Sequence, residues 1–178
     1  MADILQRLRG EVPGLRGQLS ERWGANHADG RLLIRRALTA ELGGPPQEDL
    51  TLRPQLPEWS LSISHTQDYG GWIAVPSPGR LYSIGLDIER RERLNREILA
   101  RVCTFEELAA APDPAFLWVA KEACYKALAG PLQPKTMVEV RVHYWSPQFA
   151  LWSFAHQGGR GRGWVATDQT RLYAVYLL

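Results

Sequence analysis

The chain has 178 residues, with 21 Lys and Arg against 19 Asp and Glu and a net charge of +2, so the charge balance argues against a generic nucleic-acid or membrane-surface binder. Hydrophobic residues make up 45% of it, which is the composition of a folded protein and not of a disordered one. Two cysteines, Cys103 and Cys124, are too few for a disulfide framework and point to reduced thiols in a cytosolic setting.

The opening stretch, MADILQRLRGEV, is charged and has no long apolar core, so neither a secretory signal nor a membrane span is expected there. Residues 27–42 place Leu32, Leu33, Ala37, Leu38 and Leu42 at near-helical spacing, with Arg31, Arg35 and Arg36 largely on another face, which predicts one amphipathic helix. The seventeen residues that follow, GGPPQEDLTLRPQLPEW, contain four prolines and predict a surface loop. SLSISHT and GWIAVP read as short strands joined by a hairpin turn at QDYGG, and RLYSIGLDIE as a third strand.

From residue 90 to 130 the chain is rich in helix formers and interrupted by Pro112 and Pro114, which fits two or three helices. Thr104 and Glu107 have the spacing of a capping box, and Gly130-Pro131 has the form of a helix stop. From Thr136 onward TMVEVRVHYW, FALWSFAHQ, GWVATDQ and RLYAVYLL are strand-like, with a turn at GGRGRG. The order of helix, strands, helices, strands predicts an α+β fold.

Three groups of residues could carry chemistry. In SIGLDIE, a strand puts Gly85, Asp87 and Glu89 on one face and Ile84, Leu86 and Ile88 on the other. At about 6 to 7 Å and an effective dielectric near 20, two ionised acids there repel by roughly 2 to 3 kcal/mol, which a divalent cation would reverse. A solvated acidic face and half of a metal site both fit this pattern. In FLWVAKEACYKALAG, Glu122 and Lys126 are four apart on a helix, and Lys121 and Tyr125 line a flank beside them. Alone this is a surface ion pair; placed against the strand, Glu122 would be a third oxygen donor in a set suited to Mg²⁺. In SISHTQ, His65 lies between the hydroxyls of Ser64 and Thr66 at a strand end, either as a structural histidine or as part of a phosphate site with charge from Arg31, Arg35 and Arg36. No Gly-rich phosphate loop with a following Lys, zinc-ligand spacing or Gly-x-Ser-x-Gly elbow is present.

Taken together and in this order, SISHT, IGLDIE and WVAKEACYKAL resemble the 4′-phosphopantetheinyl transferases, especially the single-chain type that activates peptide synthetases and other carrier proteins. The resemblance covers about Ser62 to Leu128. It implies a pseudo-twofold α+β fold of two related halves, 1–82 and 83–178, with the active site in the cleft between them, in a cytoplasmic monomer. It implies that Asp87, Glu89 and Glu122 hold Mg²⁺ against the pyrophosphate of coenzyme A, and that Lys126 and Lys121 contact the same phosphates. Ser64 and His65 would bind a coenzyme A phosphate, and Arg31 or Arg36 the 3′-phosphate. Glu107 falls near a conserved acid of the family, and Glu122, Glu107 and a water are all candidates for the general base. The reaction implied moves phosphopantetheine from coenzyme A to a serine of an acyl or peptidyl carrier protein and releases adenosine 3′,5′-bisphosphate. Two departures stand out: Cys103 where the family usually has an aromatic, and LTLRPQLPEW where it has a Gly-Lys-Pro element. They leave room for a non-catalytic relative that binds coenzyme A or a carrier protein without transfer.

Overall fold

The computed structural model describes residues 2–23, 27–45, 48–50, 54–78, 83–128, 133–148, 151–156 and 161–178. The chain divides into two compact units, Met1–Tyr82 and Ser83–Leu178.

The first unit starts with two elements that the sequence reading left unassigned, helix α1 (Ala2–Glu11) and strand β1 (Arg16–Ser20). Leu8 and Val12, four apart, are the buried anchors at the end of α1; in a short charged stretch so few apolar positions give little periodic signal. Gly14 takes the left-handed φ of 75° needed to turn from α1 into β1. Helix α2 spans His27–Leu42, as the apolar spacing predicts. Strands β2 (Trp59–His65) and β3 (Gly70–Pro76) form the expected hairpin. β3 is central in an antiparallel sheet of order β1-β3-β2. Ile34 and Leu38 of α2 pack with Trp23, Leu56, Trp72 and Ala74 to make the core of this unit.

The second unit is a five-stranded antiparallel sheet of order β4-β8-β7-β6-β5. Its strands are β4 (Ile84–Arg90), β5 (Val142–Gln148), β6 (Leu151–His156), β7 (Arg162–Thr167) and β8 (Arg171–Leu177). Residues 80–82 of the expected third strand, Gly130-Pro131 and the first half of the GGRGRG turn lie outside the described residues. The stretch 136–145, expected as strand throughout, instead opens with a 3₁₀ turn at Met137–Glu139, and β5 starts only at Val142. Between β4 and β5 come α3 (Arg96–Ala100), α4 (Phe105–Ala110) and α5 (Pro114–Ala127).

Helix α5 is the spine of this unit. Nine of its fourteen residues are buried, which is why its sequence reads as nearly continuous apolar and not as one stripe. It packs against β4, β7 and β8, with Leu117, Val119, Ala123 and Cys124 in one cluster with Val165, Leu172 and Ala174. Across β7, Gly163 leaves room for Phe154 and Tyr176 to stack at 5.9 Å between ring centroids, since a Cβ there would sit 2.0 Å from the Phe154 ring. The two cysteines are free thiols. Among the described residues no helix is long and apolar enough to cross a membrane.

Candidate active site

The site in the second unit is built by how closely α5 approaches β4. Asp113 caps the helix, accepting from Ala115 N at 2.9 Å, and Pro114 fixes the first turn. The cap is itself anchored, because the Arg91 guanidinium donates to the other Asp113 oxygen. Two turns on, Ala123 and Ala127 face β4 at Gly85, where a Cβ would lie 1.9 Å from Ala123 O and 2.8 Å from Ala127 N. Only glycine permits this contact. It covers the face of β4 that carries Asp87, which is 6% exposed, so the acidic face is not a solvated one.

The approach brings Lys126 onto the strand. Its Nζ donates to Asp87 Oδ1 at 2.7 Å and to Leu86 O at 3.0 Å. Glu122 lies one turn earlier on α5, half-buried. Burial raises its carboxyl pKa, and the neighbouring Asp87 and Glu89 charges raise it further against the pull of Lys126. Glu89, which accepts from Arg90 N at 2.8 Å and from Arg93 at 3.3 Å, is also raised, chiefly by burial. Three carboxylates thus sit in one another's fields, with Lys126 on Asp87 and Arg93 on Glu89, an excess of negative charge that costs free energy when all three are ionised.

Glu107 and Lys121 form a different centre. Lys121, expected on the flank of the acidic group and at the phosphates, is completely buried. Its Nζ donates to both Glu107 oxygens, at 2.9 and 2.8 Å. Glu107 also accepts from Thr104 N and Val142 N, each at 3.0 Å, and from Arg141 at 3.3 Å. The Thr104–Glu107 capping box is complete, since Thr104 Oγ1 accepts from Glu107 N. Burial works to raise the Glu107 pKa, but hydrogen bonds from Lys121, Thr104 and Val142 outweigh it and hold the carboxyl below its ordinary value. This pair ties α4, α5 and the start of β5 together.

The remaining expected residues belong to the first unit. His65 ends β2 with its ring edge against Gly30 of α2, where a Cβ would stand 3.5 Å from His65 Cδ2, and Ser64 beside it is buried. The structure therefore brings His65 to the same end of α2 as Arg31. Arg31 and Arg36 are held by the segment after α2, Arg31 donating to Leu50 O at 2.9 Å and Arg36 pairing with Glu48 at 2.8 Å.

The sequence of the second unit has a match among known families, over residues 83–167. Those residues match the 4′-phosphopantetheinyl transferase superfamily. The matched segment contains Asp87, Glu89, Glu107, Lys121, Glu122 and Lys126, and leaves Arg31, Arg36, Ser64 and His65 outside it. No curated protein matches the chain. Within the matched segment, two further residues shape the site. Gly85 was signalled by a lone glycine in an apolar strand, which marks close backbone approach. Arg141, the second cation on Glu107, carried no signal, because nothing in its spacing relates it to residue 107.

Proposed function

We propose that the protein is a 4′-phosphopantetheinyl transferase that moves phosphopantetheine from coenzyme A to a serine of an acyl or peptidyl carrier protein, with Mg²⁺, releasing adenosine 3′,5′-bisphosphate. The observation that carries this reading is the group of Asp87, Glu89 and Glu122 with Lys126 among them, inside the matched segment. The donor set fits a hard divalent cation: three carboxylates whose mutual repulsion such an ion would relieve. Among the described residues no three such side chains yet converge as an ion-binding group, and the Lys126 ammonium occupies one oxygen of Asp87. Loading of the site therefore involves the turning of Lys126 from Asp87 toward an incoming phosphate. When bound, Mg²⁺ supplies charge neutralisation on the pyrophosphate.

The serine oxygen bonds to the phosphorus of the phosphopantetheinyl group, and the phosphorus–oxygen bond to the adenosine 3′,5′-bisphosphate leaving group breaks. Lys126 stabilises charge on the phosphates. Glu107 is already saturated by donors and held low, which leaves the serine proton to Glu122 or a water. Lys121, committed to Glu107, leaves the phosphate contact to Lys126, and its own role is to hold α5 in place. Ser64 and His65, with Arg31 or Arg36, bind coenzyme A from the first unit.

The test is an incubation of the protein with Mg²⁺, coenzyme A and a panel of apo carrier proteins, read by intact mass. Addition of one phosphopantetheine to a carrier is expected. Tight coenzyme A binding by calorimetry with no mass shift on any carrier would overturn transfer and leave the non-catalytic relative.

A further inference from the structure

The first unit contains a second feature, away from Ser64 and His65, in a cavity of about 410 Å³ lined by residues of α1, β1, α2 and β3. Arg16 and Gln18, two apart on β1, share a face, and Trp72 of β3 is the cross-strand partner of Gln18. Arg9 enters from α1 and Glu41 from the last turn of α2, while Leu15 adds an apolar wall.

Among the described residues the charges of this cavity have no ion-pair partner. Arg9 makes one long hydrogen bond, to Gly17 O at 3.3 Å, and Arg16 lies over the Trp59 ring at 5.1 Å. Among the described residues neither guanidinium pairs with a carboxylate, so most of their fixed donors are free for a planar oxyanion. Glu41 sits at a helix C-terminus, where an acid opposes the helix dipole, and no basic residue in that turn offsets it. Trp72, 1% exposed, lines the cavity beside Leu15. Two cations, one anion and an apolar wall around one cavity match a ligand bearing both charges.

We propose that this cavity binds a small amphoteric acid of the α-amino acid class, its carboxylate held by Arg9 and Arg16, its ammonium by Glu41, and its apolar side chain against Leu15 and Trp72. The inference is independent of the transferase reading, because none of these residues was assigned to coenzyme A, metal or carrier.

The experiment follows the ¹⁵N–¹H signal of the Trp72 indole, assigned through bonds, as the full-length protein is titrated with L-leucine, 4-methylpentanoate, which lacks the amine, isoamylamine, which lacks the carboxylate, and sodium chloride. L-leucine is expected to give a saturable shift with a Kd of about 1 mM or tighter. 4-Methylpentanoate should bind about tenfold more weakly, and isoamylamine should behave as the salt does. Arg16→Gln should weaken L-leucine about tenfold, with the rest of the spectrum unchanged as the check on folding. Glu41→Gln should erase the preference for L-leucine over 4-methylpentanoate. A linear shift equal to that from salt, or a preference that survives Glu41→Gln, would overturn the proposal.

Discussion

Glu107 and Glu122 lie on consecutive helices, carry the same carboxyl group and titrate in opposite directions. For Glu122 the folded pKa lies above the unfolded one, so the native state binds the extra proton and loses stability as pH rises through the raised value. Above that raised value the cost is fully present. Glu122→Gln should therefore raise Tm by about 2 °C in the absence of Mg²⁺ while lowering carrier modification by about 100-fold or more. Calorimetry and the mass assay together check this, and a fall in Tm with wild-type turnover would refute the role given to Glu122. Glu107 has the reverse sign: its depressed pKa contributes stability above the ordinary carboxylate range, lost as pH falls through the folded value. Glu107→Gln should cost about 3 kcal/mol at neutral pH, because Lys121 is left buried without its anion. It should also flatten the loss of stability below about pH 4. Some acid sensitivity will remain, since Asp168 is likewise held low: hydrogen bonds from Tyr173, at 2.6 Å, and two backbone amides outweigh the effect of burial. At this scale Asp87, Glu89, Glu122 and Lys126 were legible in sequence, because spacings of two and four fix which side chains share a face of a strand or helix. The burial of Lys121 was not, since its partner lies fourteen residues away on another helix.

At the scale of elements, the alignment of these groups depends on the distance between α5 and β4. Gly85 sets that distance, and a methyl group there must push the helix away from the strand. Gly85→Ala should destabilise the protein by about 1–3 kcal/mol through overpacking and separate Lys126 from Asp87, so that activity falls together with stability. Gly10 supplies the comparison: it lies in α1 with nothing within 4 Å of a built Cβ. Gly10→Ala should stabilise by about 0.5–1 kcal/mol and leave activity unchanged. Urea unfolding of both variants, with the mass assay alongside, tests the assignment; a Gly85→Ala protein as stable and active as wild type would remove it. The helices with strong apolar spacing or caps were readable, namely α2 from its leucines and α4 from its capping box. Helix α1 and strand β1 were not, because each buries too few side chains for a period to emerge from its sequence.

For the whole molecule, the proposed chemistry is divided between two units that the sequence exposes unequally. Residues 83–167 hold motifs dense enough to match a family, whereas the first unit offers only Ser64-His65 and an arginine-bearing helix, whose guanidiniums the structure commits to the segment at 48–50. The division makes a kinetic prediction. A residue that binds the adenosine end of coenzyme A equally in the ground and transition states affects KM and leaves kcat alone, whereas a residue that meets charge developing on the transferred group lowers kcat. His65→Ala should thus raise KM for coenzyme A about tenfold, the worth of one lost charge-assisted hydrogen bond, with kcat within about threefold of wild type. Lys126→Met should lower kcat by about 100-fold with a smaller change in KM. It also leaves Asp87 without its cation in the metal-free protein, so Mg²⁺ should raise Tm more in Lys126→Met than in wild type. Steady-state kinetics at saturating carrier protein separates the two effects. Loss of kcat in His65→Ala with KM unchanged would place that histidine at the chemistry and not in coenzyme A binding, and equal Mg²⁺ shifts in the two proteins would remove Asp87 from the metal site.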